Sequence, residues 1–171
     1  MRLDPSPSRG RRWRGRLVWL LLLSASVPGA AAASACKASD PSLGLSKEPK
    51  YGQYYVGSNS VLATVCRQCQ SIDYLRIDSC GDCTDDALNT CTTLTSITGK
   101  NPTLGRSLWI QSCPLLTSLA GLRHLTGPLP GGLRVYGMDK LVSLDGLEKI
   151  TSLSAATCCG SDTGTSINLI N

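Results

Sequence analysis

Apolar residues return in a fixed order through the second half of the chain. Residues 108–127 read LWIQSCPLLTSLAGLRHLTG, and residues 133–152 read LRVYGMDKLVSLDGLEKITS. At an offset of 25 residues, Leu108 meets Leu133 and Ile110 meets Val135. Leu116, Leu119 and Leu122 then meet Leu141, Leu144 and Leu147, while Ser118, Gly121 and Leu125 meet Ser143, Gly146 and Ile150. The order continues more weakly on both sides. LRIDSC at 75–80 matches LWIQSC at 108–113, and SINLIN at 166–171 matches SLWIQS at 107–112. LTSITG at 94–99 matches LTSLAG at 116–121, which makes GDCTDDALNTCTT at 81–93 an insertion.

Each unit predicts the same local structure. In L-x-I or L-x-V the two apolar side chains share one side of a strand, and the middle residue takes the other. The following L-x-x-L-x-x-L turns the chain back with its leucines still facing inward. A single unit cannot bury these leucines. Stacked units bury them in one continuous core and set the triplets side by side as a parallel sheet. Gly99, Gly121, Gly127, Gly131, Gly132 and Gly146 are expected at tight turns between segments. Two amphipathic helices are the competing arrangement. The spacing argues against them, because Leu116, Leu119, Leu122 and Leu125 recur strictly every third residue. Glycines interrupt the run, and Pro114, Pro128 and Pro130 bracket it. The expected fold is therefore mainly β: a short right-handed solenoid with a parallel sheet and little helix. Residues 36–65 show no such period and are punctuated by Pro and Gly. They are expected to form an irregular N-terminal arm or cap. SVLATVC gives at most one short helical turn or strand before Cys66.

The stretch LWIQSCPLLTSLAGLRHLTGPLPGGLRVYGMDKLVSLDGLEKITSL resembles the receptor L-domain variety of leucine-rich repeat. That family includes the ligand-binding lobes of the insulin and epidermal growth factor receptors. The resemblance covers about residues 66–171. It implies a binding module displayed outside the cell. Solenoids require a cap over the last core face, and SINLIN has none, so the domain is expected to be incomplete at the C-terminus.

The first 35 residues have a different grammar. Arg2, Arg9, Arg11, Arg12, Arg14 and Arg16 precede an apolar run of 11 residues, Leu17 to Val27. Small residues follow, with A-x-A cleavage sites after Ala33 or Ala35. This is the pattern of a secretory signal peptide, 1–35. The run is too short to span a bilayer, which needs about 20 residues. These residues also carry the whole net charge of +5, since 36–171 hold 11 basic and 11 acidic side chains. With no basic stripe left, a nucleic-acid partner has no support.

All nine cysteines, Cys36, Cys66, Cys69, Cys80, Cys83, Cys91, Cys113, Cys158 and Cys159, lie beyond the leader. In an exported chain this density predicts disulfides, with Cys66, Cys69, Cys80, Cys83, Cys91, Cys113, Cys158 and Cys159 as the candidates. With an odd total, at least one thiol is expected to stay free, to pair between chains or to have its partner outside this sequence. Cys66, Cys69, Cys80 and Cys83 could instead supply four zinc thiolates, although export favours bridges and no metal is expected. Cys80 and Cys113 hold equivalent positions in neighbouring units. Strands about 4.8 Å apart would place them either in a bridge or buried side by side. The vicinal Cys158–Cys159 is expected to enter two separate bridges.

Catalysis finds little footing. The one histidine, His124, falls on a turn segment, and no G-x-S-x-G, H-E-x-x-H or phosphate loop occurs. Neither an enzyme nor a cofactor is expected. Asp82, Asp85 and Asp86 could bind calcium loosely, but a solvated acidic loop is the simpler reading. N-glycosylation signals are missing, since Asn101 precedes Pro and Asn89-Thr-Cys is at best a rare variant.

The residue between the two inward apolar positions of 108–110 is Trp109. Alternation turns it outward, in a column with Arg76, Arg134 and Asn168. Tyr74, Ser107, Gly132 and Ser166 flank that column on one side, and Asp78, Gln111, Tyr136 and Ile170 on the other. Trp, Tyr and Arg dominate protein interfaces. Trp109, Arg76, Arg134 and Tyr136 are therefore the candidate ligand-binding face. The alternative is a cation–π stack that only stabilises the sheet. The expected function is a secreted or cell-surface module that recognises an extracellular protein or glycan. A truncated receptor ectodomain and a structural wall or matrix protein are the other classes.

Overall fold

In the computed structural model, which describes residues 34–154 and the backbone of 167–170, the L-x-[IV] triplets are strands. Along the chain run β1 (Ser34–Cys36), β2 (Ser46–Lys47), β3 (Tyr54–Tyr55), helix α1 (Asn59–Gln68), β4 (Cys69–Ile72) and β5 (Leu75–Asp78). A short helix α2 (Asp85–Leu88) follows, then β6 (Ser96–Ile97), β7 (Leu108–Gln111), β8 (Gly127–Leu129), β9 (Leu133–Tyr136), β10 (Ile150–Leu153) and β11 (Ile167–Ile170). The described chain is mainly strand, with parallel sheets and few helices.

β5, β7, β9 and β11 form one parallel sheet in that order. Leu75, Leu108, Leu133 and Ile167 stand in one row, and Arg76, Trp109, Arg134 and Asn168 in the next. This is the register that the repeat spacing predicts. A second set of parallel strands was not anticipated. β4 lies between β1 and β6, and β8 pairs with β10. A backbone bond from Thr126 N to Thr95 O joins the segments leading into β8 and β6. From β4 onward the strands alternate, one to this rear set and one to the front sheet. The rear strands are short and carry no L-x-I triplet, so their sequence gave no period to detect.

The leucines between the sheets form the core. Leu75, Ile77, Leu108, Ile110, Leu116, Leu119 and Leu122 are all fully buried. Burying one such side chain stabilises the fold by about 1.5–3 kcal/mol. Their repeat mates Leu141, Leu144 and Leu147 are only partly buried. Leu144 and Leu147 line a cavity of about 380 Å³ with Leu129, Leu133, Ile150 and Leu153.

Two glycines have a different role from the one expected. A Cβ on Gly121 would collide with the backbone of Leu88, and one on Gly146 with the backbone of Leu119. The repeat keeps glycine there because neighbouring units approach backbone to backbone. At Gly127 and Gly132, with φ of +84° and +71°, the turn explanation holds.

The N-terminal segment departs from expectation. Its first described residues, Ser34 and Ala35, already pair with β4. It is not an irregular arm: β2 and β3 form an antiparallel hairpin, and Val56 bridges in parallel to Ile77 of β5. Where one short helical turn or strand is expected before Cys66, the chain forms a ten-residue helix. Ser58 caps α1 by accepting from Val61 N, a contact worth about 1 kcal/mol. Leu62, Val65 and Cys66 fall on one face, at helical spacing, and are buried.

The disulfides tie this segment down. Cys36 bonds Cys69, Cys66 bonds Cys91, and Cys80 bonds Cys83. Cys36 was absent from the candidates, and its role follows from β1 lying beside β4. Cys113 is the reverse correction: it was a candidate, yet it is free and buried. The four cysteines of the zinc pattern are thus divided among three bridges. The Cys66–Cys91 bridge spans 25 residues and joins α1 to the insertion. By loop-closure entropy it contributes about 3.5 kcal/mol. Cys158 and Cys159 lie outside the described residues.

Candidate recognition face

The front sheet holds the middle residues of the triplets in one row, and these residues stack. Arg76 Cζ lies 4.7 Å from the centroid of the Trp109 ring, and Arg134 Cζ lies 4.8 Å from it. The Trp109 indole is therefore held between two guanidinium groups. The stack continues outward at both ends. Arg76 also lies 5.6 Å from the Tyr55 ring, and Arg134 lies 5.8 Å from Tyr136. Parallel register produces the inner part of this order, because β5, β7 and β9 set Arg76, Trp109 and Arg134 at the same level.

A hydrogen-bonded chain fixes the stack from its edge. Trp109 Nε1 donates to Gln111 Oε1 at 2.7 Å, and Gln111 Nε2 donates to Asp78 Oδ1 at 2.7 Å. Asp78 is ion-paired through its other oxygen with Arg76. Arg76 also donates to Glu48 at 2.5 Å and to Gln53 Oε1 at 2.6 Å. A guanidinium leaves water only when carboxylates and acceptors replace its hydration. The β2–β3 hairpin brings Glu48 and Gln53 for that purpose.

This geometry changes the candidate face. Arg76 and Trp109 are each 7% exposed, so neither stands on an open surface. Their flanking residues Tyr74, Ser107 and Asp78 are buried too. The physical reason is the hairpin, which covers β5, together with the arginines, which cover both faces of the indole. Among the described residues of the face, exposure increases toward β9. Tyr136 is 40% exposed, while Arg134 and Gln111 are half-buried beside it. Asn168 pairs with Arg134 in register, as the column requires. Ser166 lies outside the described residues. Glu48, Gln53 and Tyr55 were missed, since they sit in a segment without periodicity. Its one signal was the local density of aromatics in YGQYYVG.

The other candidates are dispersed. The Asp85 carboxylate accepts from Thr117 N and Ser118 N at 2.9 and 3.3 Å, and from Thr117 Oγ1. Partial burial raises its pKa, but these bonds outweigh burial and hold it below the usual carboxylate value. Asp82 accepts from Asn59 N, and Asp86 is exposed. The three acids therefore do not converge. Cys80, Asp82 and Cys83 do bring their ligand atoms within 4.8 Å of one another. Two of those atoms are already joined as a disulfide. Cys113 lies beside Cys80: its Sγ donates to Gln111 O, and the Cys80 backbone bonds to it. Burial pushes its thiol pKa up to about 11. His124 is half-buried on the 120–125 turn and makes no hydrogen bond or ion pair among the described residues. No helix among those residues is long and apolar enough to cross a membrane. No protein-family model, curated protein or solved structure matches the chain.

Proposed function

We propose that the chain is a secreted recognition module, a short receptor L-type solenoid that binds an extracellular protein or glycan through its front sheet. The observation that carries this reading is the exposed end of the stack. Tyr136 presents its ring at 40% exposure next to the half-buried Arg134, and Arg134 is stacked on the locked indole of Trp109. Rigid aromatic and guanidinium groups lose little entropy on binding, which makes them suited to interfaces. In this reading Arg134, Tyr136 and Gln111 touch the partner. Trp109 and Arg76 position them from beneath. The leader-like start and the three disulfides support export. Cleavage after Ala33 rather than Ala35 would leave β1 whole.

The test is a binding screen of the oxidised chain against an array of defined glycans and a panel of purified secreted proteins and ectodomains. A binder that is lost with Tyr136→Ala, and kept with Val142→Ser at an exposed position outside the front-sheet strands, is the expected result. A binder indifferent to both Tyr136→Ala and Arg134→Gln would refute the sheet face as the site.

A further inference from the structure

Cys80 and Cys113 hold equivalent places in neighbouring units, and the structure stacks them. Asp78, Gln111 and Tyr136 end their strands in register. The next residue makes the same bend each time: Ser79, Ser112 and Gly137 take φ of +52°, +51° and +58°. Serine seldom adopts this left-handed conformation, so its recurrence extends the register past the strands. The backbone bonds extend it too. Ser79 N donates to Gln111 O at 3.2 Å, and Ser112 N donates to Tyr136 O at 3.1 Å. One residue further on, Cys80, Cys113 and Met138 all turn into the core and are buried.

Three sulfurs therefore gather beyond the end of β5. Cys80 is bonded to Cys83. Cys113 keeps its thiol, which donates to Gln111 O at 3.1 Å and accepts from the Cys80 N–H. The free thiol is thus held by the residue whose sulfur is already in a bridge. Parallel neighbours lie about 4.8 Å apart. A disulfide accepts Cα separations of about 4.4–6.8 Å and Cβ separations of about 3.5–4.5 Å. Bridging Cys80 to Cys113 therefore needs an approach of roughly 1 Å.

This exchange needs no outside reagent. The Cys113 thiolate attacks Cys80 Sγ, and a Cys113–Cys80 bond forms as the Cys80–Cys83 bond breaks. The electron pair leaves on Cys83, which takes up the proton that Cys113 gave up. One disulfide and one thiol are present before and after, so there is no net oxidation or reduction. Burial keeps the Cys113 thiol protonated, which makes the step slow in the resting chain. The surroundings of the two thiols differ. Cys113 is enclosed in the ladder. Cys83 is buried while bridged, but it belongs to a loop in which Gly81 and Asp82 are exposed and Gly81 has open space around it. We propose that Cys80 exchanges partners within the folded chain, from Cys83 to Cys113, and so relocates a free thiol from the core to the 81–84 loop. The proposal rests on these three sulfurs and not on the sheet-face reading.

The test is alkylation of the intact, oxidised, folded chain with iodoacetamide at pH 8 without reductant. Samples are quenched in acid and digested with pepsin at low pH, where thiolate is too scarce for disulfides to reshuffle. Mass mapping then locates the label and the bridges. The expected result is label accumulating on Cys83, together with a peptide linked through Cys80–Cys113. Cys113→Ser should slow the labelling of Cys83 roughly tenfold or more, because the attacking sulfur is gone. Cys83→Ser gives an independent reading: in the oxidised variant Cys80 and Cys113 should be bridged to each other. Label on Cys113 with Cys83 untouched overturns the proposal, since it means that the chain opens instead of exchanging. So does Cys83 labelling that Cys113→Ser leaves unchanged, or an absence of Cys83 label over a time that labels the urea-unfolded chain completely. A Cys113 linked to Cys158 or Cys159 in place of Cys80, or a Cys83→Ser chain in which Cys80 and Cys113 are both alkylated, overturns it as well.

Discussion

Replacing Trp109 by Ala separates a ring that holds the sheet together from a ring displayed on it. At 7% exposure, between two guanidinium groups 4.7 and 4.8 Å from its centroid, the indole has almost no contact with water. Truncating a buried aromatic to Ala costs about 3–5 kcal/mol. The same change at a solvated position costs within about 0.5 kcal/mol. Removing the ring also leaves Arg76 and Arg134 facing each other across the gap, and it frees Gln111 from the Nε1 donor. The expected loss is therefore about 4 kcal/mol, a large share of the ~5–15 kcal/mol that stabilises a typical domain. Urea unfolding followed by far-ultraviolet circular dichroism measures it. Trp109→Phe keeps the ring faces but loses the Nε1 donor, and should cost less. In a chain that begins at Ser34, Trp109 is the one tryptophan, so its fluorescence there reports on this one site. Combining Trp109→Ala with Arg134→Gln should give less than the sum of the two losses, since the residues are in contact. A loss below ~1 kcal/mol for Trp109→Ala, with additive behaviour in the double variant, would refute the stack.

Two further outcomes follow from the packing. Gly121→Ala should lower the unfolding midpoint sharply, because its Cβ would meet the Leu88 backbone, whereas Gly81→Ala, with open space around it, should not; equal midpoints would show that the neighbouring units are not in backbone contact. Cys113 should resist iodoacetamide in the folded chain at pH 8 and react once the chain is unfolded in urea without reductant, while Cys80 stays protected in its bridge. Burial lifts the folded thiol pKa to about 11, from 9.0 for the free group. The folded state thus favours the protonated thiol, and this contribution to stability fades as the pH rises from about 9 to about 11. Peptide mapping of the alkylated sites, together with unfolding curves across that range, checks both statements.

The spacing of Leu108 and Ile110, and their return as Leu133 and Val135, was enough to predict the parallel front sheet and its register. Alternation and period are local properties, so they survive in the linear sequence. The same pattern put Arg76, Trp109, Arg134 and Asn168 in one column. What alternation could not convey is what lies on top of that column. It took Trp109 and Arg76 to be outward, and outward is not the same as exposed. Glu48, Gln53 and Tyr55 come from a segment with no period, and folding carries them over β5 to pair a guanidinium and close one side of the stack. The pairing of Cys36 with Cys69 and the isolation of Cys113 belong to the same category. Which sulfurs meet depends on how β1 lies beside β4, and no spacing along the chain encodes that. Strand direction and inward faces were thus settled residue by residue. Burial of charge and the choice of disulfide partners arose only when distant segments packed, because each depends on contacts between residues that share no local pattern.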